Sequence, residues 1–452
     1  MKIESLVLPH DPGWNEARRA WNLAVDQRPA AVAIPETVAD AAAVVRWARS
    51  RGLRIAPQGT GHGASAMGSL AHTVLVKTER LRGIEIDVER RRARVGAGVL
   101  AAELNKAASE HGLAALSGSS PDVGVVGYTL GGGLSWFGRK YGLAANSVTA
   151  AELLNAEGEH VRVDADREPE LHWALRGGGG AFGLVTALEF DLYPIRTAYA
   201  GVLFFPLRRG AEILRAWRRW IDDVPDELTS VGRFLNFPSI PELPPQLRGG
   251  SFVVVEAVHL GSAQSGVDLL RPLRDLRPVI DTVGTIPVEQ VTKVHMDPER
   301  PVPGAGDGML LSDLTDEGID SLVRLAGAGS NSPLLSVELR HLEGELARPR
   351  PGNGVLGSLD ARFALSAVGA APTPGVGAAV RAHVELVQAA LARWDSGRDY
   401  LNFTQRRERG QRFFGPKAFS RLQAVKASVD PEDVFRSNHP IRVPATRLRR
   451  AA

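Results

Sequence analysis

The chain has 452 residues, 44% hydrophobic and 23% charged, so it has enough apolar material for a large core and, at about 150 residues per domain, for two or three domains. Its 54 basic and 51 acidic residues nearly balance, and no basic stripe alternates with aromatic residues as a nucleic-acid-binding surface requires. Cysteine is absent, which excludes disulfides, thiolate nucleophiles and cysteine-based metal sites. The first residues lack a signal-peptide pattern and no apolar run approaches about 18 residues, so we expect a cytoplasmic protein with no membrane partner.

Helices and short strands alternate in the first part of the chain. A helix is predicted over residues 35–51, where Thr37 can cap the first turn and Gly52 ends it, and a second helix over residues 100–112. The predicted strands are residues 54–56, 74–76 and 93–95, followed by a hairpin of residues 148–155 and 160–163. This alternation is typical of an α/β domain.

Glycine clusters cease after Pro194, and strands then alternate with helices in a way that predicts an antiparallel sheet backed by helices. The predicted strands here are residues 251–260, 335–342 and 358–367, and the predicted helices are residues 210–222 and 379–394. Two segments rich in proline or in proline and glycine, residues 237–245 and 295–308, are predicted to be loops.

Three glycine-bearing segments stand out. Residues 57–63 place His62 among glycines whose N–H groups can form an anion-binding nest, although this segment alone is also compatible with an ordinary turn. Residues 117–133 end in three consecutive glycines, and residues 173–186 contain a run of four at 177–180 and a fifth at 183. One interpretation accounts for all three segments: a ligand binds against the backbone of more than one of them.

A weaker pattern, Gly96-x-Gly98-x-x-Ala101, fits the bare dinucleotide fingerprint between a strand and a helix. A Rossmann site also needs an acidic residue at the end of the next strand, and none occurs before Asp122, which lies within a glycine-rich loop. We interpret the pattern as a tight turn from strand to helix, with an NAD site as the alternative.

The segments around His62 and residues 117–133, with Arg139 to Ala144, together resemble the FAD-binding half of the berberine-bridge-enzyme-like flavoproteins, a branch of the vanillyl-alcohol-oxidase superfamily. The resemblance covers most of residues 28–195 and 400–441. It implies an α+β fold with three parts: a PCMH-type FAD-binding domain of two α/β subdomains at residues 1–195, a substrate domain with an antiparallel sheet backed by helices at 196–395, and a C-terminal segment at 396–452 that returns to the FAD domain.

In that family a histidine of the first loop is bonded to the flavin 8α-methyl group, so the resemblance implies that His62 anchors FAD. Ser120-Pro121 stands where members with two flavin bonds carry Cys-Pro, so we expect a single bond. The glycines at 131–133 are expected to let the backbone approach the ring system. The resemblance implies FAD-binding roles for Gln58, Gly59, Thr60, Gly61, His62, Gly63, Ser120, Pro121, Gly124, Gly127, Tyr128, Gly131, Gly132, Gly183, Val185, Asn402 and Asn438.

Two tyrosines are catalytic candidates. Tyr128 stands where many members carry a histidine near the flavin N1/C2 edge, and it either donates its O–H there or packs on the glycines. Tyr400 begins Tyr-Leu-Asn-Phe, where members often have Tyr-x-Asn-Tyr. Because Phe403 cannot accept a proton, the base is Tyr400, Glu338, Tyr128 or no residue.

Strand alternation places Ser336, Glu338 and Arg340 on one face of a predicted strand. This face either lines the substrate pocket, with Arg340 beside Tyr400, or is the solvent side of an edge strand. Glu256 and His259 are weaker candidates for the pocket, since the inward face of their strand is unknown.

The resemblance implies an FAD-dependent oxidase that transfers a hydride from a small organic substrate to flavin N5 and is reoxidised by O₂. An alcohol, a sugar, an amine and a natural-product intermediate are all open as substrates. The alternatives are a dehydrogenase or oxidative cyclase of the same fold and a flavin-binding protein without turnover, the latter suggested by Ser120, Ala181 and Phe403. No metal site is predicted, and the oligomeric state is left open.

Overall fold

The structure is a computed structural model that describes residues 3–408 and 410–442. The strands in these residues are β1 Leu6–Val7, β2 Ala31–Ala33, β3 Arg54–Gln58, β4 Thr73–Lys77, β5 Ile84–Asp87, β6 Arg92–Gly96, β7 Val148–Leu154, β8 His160–Asp164, β9 Leu184–Asp191, β10 Thr197–Pro206, β11 Leu228–Asn236, β12 Ser251–His259, β13 Ile280–Asp281, β14 Gly284–Pro287, β15 Gly304–Leu311, β16 Ser336–His341 and β17 Phe363–Ala370. The α-helices are α1 Trp14–Ala17, α2 Val38–Arg49, α3 Ala101–Ser109, α4 Val125–Leu130, α5 Gly138–Tyr141, α6 Pro169–Leu175, α7 Gly210–Trp220, α8 Ala263–Arg274, α9 Asp316–Ala326, α10 Pro374–Ala390 and α11 Gly410–Val429. Short 3₁₀ turns lie at Ala64–Ala66, Ala144–Ser147, Leu207–Arg209, Ile221–Asp223, Val288–Lys293, Gly344–Leu346, Ala392–Trp394 and Leu401–Phe403.

The first sheet has four strands in the order β1-β2-β4-β3, with parallel pairing of β2 and β3 to β4. Helix α2 covers it through a stripe of alanines and valines, and its first turn is closed by Thr37, whose side chain accepts from the Asp40 N–H at 3.1 Å. The second sheet has the antiparallel order β5-β6-β9-β7-β8. These two sheets form the part of the chain that carries the three glycine-bearing segments.

The third sheet has eight strands, in the order β13-β10-β12-β11-β16-β17-β15 with β14 also paired to β10. One face is covered by helices α7, α8, α9 and α10, whose apolar residues, Trp217 of α7 among them, share a core with Phe234, Val255 and Phe363 of the sheet. The opposite face packs Val231 and Val254 against Trp136 and Phe137 of the first 195 residues. This sheet therefore lies with its second face against the glycine-bearing half, and the antiparallel sheet backed by helices and the α+β class are confirmed.

Three local expectations need correction. The segment 295–308 is a loop only in part, because β15 begins at Gly304 and pairs with β17. Its Gly308 allows close approach of Phe403, since a Cβ there would lie 2.7 Å from that of Phe403. The strand predicted at 358–367 begins five residues later, at Phe363, and the helix predicted at 379–394 begins at Pro374, which can occupy a first helical turn.

The last described residues return to the first half of the chain. Phe435 pairs with Ile55 beside β3, and the buried Lys426 ammonium donates to the Ala181 carbonyl at 2.7 Å. The three-part division at residues 195 and 395 stays a prediction. Among residues 3–408 and 410–442, no helix is both long and apolar enough to cross a bilayer; the cytoplasmic location also stays a prediction.

Candidate active site

The loop with His62 follows directly after β3, at the sheet edge where the parallel strands β3 and β4 end. Thr60 Oγ1 lies 2.7 Å from His62 Nδ1. The indole of Trp21 stacks on the imidazole, with ring centroids 4.0 Å apart and 21° between the planes. The backbone N–H of Trp21 also donates to the Thr60 carbonyl at 2.9 Å. The imidazole is therefore held by Trp21, about forty residues earlier in the chain, as well as by Thr60 of its own loop.

Asp122, from the second glycine-bearing segment, faces the other imidazole nitrogen. Its Oδ1 lies 3.5 Å from His62 Nε2, an ion-pair distance, and accepts the Ser120 hydroxyl at 2.9 Å. Its Oδ2 accepts the indole N–H of Trp21 at 2.5 Å. Burial alone would raise the pKa of Asp122, but the His62 and Trp21 side chains lower it below its usual value, so this side chain is a carboxylate at neutral pH.

The first two segments offer both open space and unused donors to a flat, polar ligand. A Cβ on Gly127 would meet no atom within 4 Å, and one on Gly59 would meet only Thr78 Oγ1 at 3.9 Å. Among the described residues, the buried Nε2 of Gln58 has no hydrogen-bond partner, and Nε2 of His62 has only the Asp122 carboxylate at 3.5 Å, beyond a regular hydrogen bond. Gly61 adopts φ 88°, which a residue with a side chain rarely adopts. These features fit FAD.

Other glycines that were expected to face the cofactor are instead required by contacts within the protein. A Cβ on Gly131 would collide with Asn402, and one on Gly132 would lie 2.7 Å from Leu356. A Cβ on Gly183 would collide with the Leu153 side chain of β7. Contacts within the protein therefore explain why residues 131 and 132 are glycines, without the expected approach of the flavin ring system. Similarly, Gly96 and Gly98 press against the backbone of residues 78–82, as the tight-turn interpretation requires.

Three further residues that were predicted to bind FAD make contacts within the protein itself. The Pro121 carbonyl accepts from the Ala102 N–H at 2.8 Å, at the start of α3. Gly124 precedes α4, and its carbonyl accepts from the Tyr128 N–H at 3.1 Å. Val185 pairs with Leu153 inside the second sheet and is buried. Their roles toward FAD stay predictions.

Tyr128 projects from α4, and its ring lies between Gly118 and Gly133. Its hydroxyl donates to the Leu116 carbonyl at 3.1 Å. Burial raises the pKa of Tyr128 well above its usual range, and Tyr400 adds to this while Arg340 opposes it. Of the two interpretations given for Tyr128, this arrangement favours packing on the glycines.

The C-terminal segment closes onto both loops through two asparagines. Asn402 Nδ2 donates to the Tyr128 carbonyl at 2.9 Å and to the Tyr400 hydroxyl at 3.2 Å. Asn438 Nδ2 donates to the Gly63 carbonyl at 2.7 Å. Both asparagines therefore act, in this structure, as links between the C-terminal segment and the loops.

Tyr400 is buried, with 2% of its surface exposed, and a Cβ on Gly132 would lie 3.6 Å from its hydroxyl oxygen. Burial raises the pKa of Tyr400 well above its usual value, although hydrogen bonds from Asn402 and from the main chain at Leu134 and Gly133 oppose this. The phenol is protonated at neutral pH and accepts hydrogen bonds.

Strand β16 lies between β11 and β17, so the alternative that its polar face is the solvent side of an edge strand is wrong. Arg340 Nη2 reaches across to the second loop and donates to Ser119 Oγ at 3.1 Å, and the guanidinium carbon lies 5.0 Å from the centre of the Phe403 ring. Arg340 Nε donates to Glu338 Oε1 at 2.9 Å. This face therefore meets the second glycine-bearing segment directly.

Arg340, whose side chain is 12% exposed, is the outermost member of a group of paired charges that we call the buried charge cluster; the other members, Arg233, Glu256, His295 and Glu338, are buried. His295 Nδ1 lies 2.5 Å from Glu256 Oε2, and its Nε2 lies 2.6 Å from Glu338 Oε2. Arg233 Nη1 lies 3.2 Å from Glu256 Oε1. Burial and Arg233 lower the pKa of His295, but the carboxylates of Glu256, Glu338 and Asp297 outweigh them and raise it to about 9. Burial acts to raise the pKa of Glu338, but the Arg340 and His295 charges hold it far below its usual range.

Of the two weaker pocket candidates, only Glu256 lies on the face toward the loops. His259 lies on the helix-covered face, where its Nε2 is 2.8 Å from the Ser265 hydroxyl in α8. Its candidacy as a pocket residue is therefore wrong. Glu256 is fully buried in the buried charge cluster, so it supports that cluster from behind.

The sequence did not predict a role for Trp21, His295 or Ser119. Asp122 was considered only as the acidic residue that a Rossmann dinucleotide site would need. Ser119 and Asp122 sit in the second loop, so their place in the motif was the available signal. Trp21 contacts a residue 101 positions away and His295 one 39 positions away, and no local pattern marks either pair.

Two family models match the chain: one described as an FAD binding domain covers residues 29–164, and one described as berberine and berberine like covers residues 399–442. The (R)-6-hydroxynicotine oxidase of Paenarthrobacter nicotinovorans is 28% identical over 458 residues, covering 96% of each chain. Glucooligosaccharide oxidase of Sarocladium strictum is 31% identical over 224 residues, covering 48% of this chain and 45% of that one.

Among solved structures, 6-hydroxy-D-nicotine oxidase from Arthrobacter nicotinovorans superimposes with a TM-score of 0.86 at 26% identity, covering 98% of this chain and 99% of that one. Both family models fall on the segments that meet at His62, Asn402 and Asn438. The chain is therefore similar over nearly its whole length to the berberine-bridge-enzyme-like FAD-linked oxidoreductases, and the resemblance seen in its sequence is confirmed.

Proposed function

We propose that this enzyme is an oxidase that carries FAD bonded to His62, oxidises a carbon–nitrogen bond of an amine and is reoxidised by O₂. The observation that carries the proposal is the meeting of the His62 loop, the second glycine-bearing segment and the polar face of β16 at one place, joined by the contact between Arg340 and Ser119. FAD, when bound, supplies the acceptor for the substrate's hydride. Gln58, Gly59 and Gly127 would hold it, because they present an unused nitrogen and open backbone, and His62 would be the residue bonded to it.

The protonation states of the candidate bases support an amine. Glu338 is ionised but tied to Arg340 and His295, Tyr128 donates its proton to a carbonyl, and Tyr400 is a protonated phenol. An alcohol needs a base to accept its hydroxyl proton as the hydride leaves. A neutral amine needs none, because its nitrogen lone pair stabilises the cation that forms.

Arg340 favours the reactive form of such a substrate. Its guanidinium charge, next to Tyr400 and Tyr128, opposes an ammonium group at the same place and so lowers the pKa of a bound amine. We assign to the Tyr400 hydroxyl, which is buried and lies near Gly132, a hydrogen bond that orients the substrate nitrogen. In this role Tyr400 positions the substrate without taking its proton.

The test is an anaerobic mixing experiment with the purified yellow protein. Cyclic secondary and tertiary amines are compared with alcohols and sugars for bleaching of the flavin absorbance, and air is then admitted while H₂O₂ is measured. We expect amines to bleach the flavin, at a rate that rises with pH as the amine loses its proton, and air to restore the colour with release of H₂O₂.

The alternatives give different results. Bleaching by alcohols or sugars but not amines overturns the substrate class. Flavin that is bleached by substrate and stays bleached after air is admitted identifies a dehydrogenase or cyclase. A protein that no candidate substrate bleaches fits the non-catalytic alternative, and a colourless protein without FAD overturns the proposal entirely.

A further inference from the structure

We propose that Asp122 is a positioning residue for flavin attachment, which holds the His62 proton on Nε2 and thereby makes Nδ1 the nitrogen that bonds to the flavin 8α carbon. This inference depends on the proposed covalent link at His62. It assigns a role to a carboxylate that neither the oxidation reaction nor the glycine-bearing backbone uses.

The contacts around the imidazole decide which nitrogen carries the proton. The Asp122 carboxylate can only accept hydrogen bonds, so it favours a proton on His62 Nε2, which lies 3.5 Å away. Thr60 Oγ1, 2.7 Å from Nδ1, can donate its hydroxyl proton to a lone pair there. Both neighbours therefore favour the same tautomer, with the nucleophilic lone pair on Nδ1.

Asp122 is itself held in place. It accepts from the Ser120 hydroxyl and from the Trp21 indole, while the same indole stacks on the imidazole. The side chains of His62 and Asp122 are 25% and 17% exposed, so water screens their interaction only in part. A carboxylate fixed beside a partly buried imidazole stabilises positive charge on that ring.

Positive charge forms there when the bond is made. Nδ1 joins the 8α carbon, one C–H bond of the methyl group breaks, and the methyl proton passes to water. The electron pair of that C–H bond remains on the ring system until O₂ accepts two electrons. The alkylated imidazole is cationic until its Nε2 proton leaves, so the methyl proton and this proton together balance the H₂O₂ that forms. Asp122 faces Nε2 throughout and lowers the energy of the cationic stage.

The experiment follows attachment directly, without any substrate turnover. Apoprotein expressed without flavin is mixed with FAD in air, and the fraction of flavin that stays with acid-precipitated protein is measured over time, with mass spectrometry of the labelled peptide. We expect Asp122→Asn to slow attachment by about 10- to 100-fold while FAD still binds reversibly. Asp122→Glu, which keeps the charge, is expected to restore part of the rate.

The matched control is Asp164→Asn, the same change at a partly exposed aspartate of β8 in the same half of the chain. It is expected to attach flavin at the wild-type rate. The second readout is the linked nitrogen, identified by NMR of the flavin peptide, since loss of a merely structural carboxylate would not change which nitrogen reacts. We expect an Nδ1 link in the wild type and a slower reaction with some Nε2 link in Asp122→Asn.

The outcomes separate the two proposals. If wild-type protein releases all its flavin in acid, the covalent link itself fails. If wild-type protein is labelled but Asp122→Asn is labelled equally fast, or the wild-type link is at Nε2, the role of Asp122 is overturned. Should Asp122→Asn not fold, Trp21→Phe keeps the aromatic stacking and removes only the indole hydrogen bond to Asp122. A wild-type rate with an unchanged Nδ1 link in that variant would also overturn the role of Asp122.

Discussion

The two sides of the candidate site are built differently. On the cofactor side, His62 and Asp122 lie in loops that each occupy fewer than twenty consecutive residues, and their contacts leave backbone and nitrogen atoms open. On the substrate side, the buried charge cluster joins residues from three separate strands and a loop, and nearly every charge in it is already paired. The cofactor side is thus shaped to accept a ligand, whereas the cluster holds its least buried member, Arg340, in a fixed position against the second loop.

The two sides should therefore respond differently to substitution. A change on the cofactor side should alter what is bound and how, with a small effect on folding. A change in the buried charge cluster should alter stability first, because removing one partner leaves another buried charge unpaired.

The largest expected effect is on the cofactor side. His62→Ala should remove all covalent flavin, because it deletes the only imidazole in the loop, while the protein still folds. Acid precipitation should give a yellow pellet for the wild type and a colourless pellet with yellow supernatant for the variant. His72→Ala, at an exposed position, is the control and should keep a yellow pellet. A yellow pellet from His62→Ala would place the link elsewhere.

Glu256→Gln should lower the free energy of unfolding by about 3–5 kcal/mol at neutral pH, since it leaves Arg233 and His295 buried without a full counter-charge. Denaturant unfolding of the apoprotein measures this. The same substitution at the exposed Glu16 should change little. A loss of flavin binding with unchanged stability would show that the buried charge cluster serves the cofactor and not the stability of the fold.

The pH dependence of stability should report His295. Its pKa is about 9 in the folded protein against about 6.5 when unfolded, so its contribution is fully present below pH 6.5 and is lost as the pH rises through 9. The expected loss is about 3 kcal/mol over that window. His295→Gln should flatten this part of the stability curve, and His72→Gln should leave it as in the wild type. Equal curves for all three proteins would show that His295 is neutral.

The smallest expected effect concerns Tyr400. With an amine substrate, Tyr400→Phe should slow flavin reduction by less than about tenfold, since only a hydrogen bond to the substrate is lost, and FAD content should not change. Loss of a general base would instead cost about 10² to 10⁴. Stopped-flow reduction without air distinguishes the two, and the larger effect would return the role of base to Tyr400.

Much of the fold could be predicted because local patterns govern it. Thr37 caps α2, the hairpin of β7 and β8 pairs as expected, and the glycine-bearing loops lie together as the resemblance implies. The glycine signal was ambiguous, because a glycine that admits a ligand and one that admits a neighbouring side chain look the same in sequence. Gly127 faces open space while Gly131 faces Asn402, 271 residues further along the chain.

The remainder of the site could not be predicted because it depends on which strands become neighbours. Strand alternation grouped Glu338 with Ser336 and Arg340 on one face of β16, but only the register of β16 beside β11 shows that this face is enclosed. The partner of Glu338, His295, comes from a segment predicted to be a featureless loop. Pairing across more than forty residues carries no periodic signal.

The hydrogen bond from Asn438 to Gly63 has a consequence for the order of events during protein synthesis. The His62 loop leaves the ribosome some 375 residues before the asparagine that holds it. Until then its backbone lacks this partner, and the second loop likewise waits for Asn402. The cofactor cradle is therefore completed only when nearly the whole chain has been made, so a ribosome-bound nascent chain that stops before residue 399 should not retain flavin.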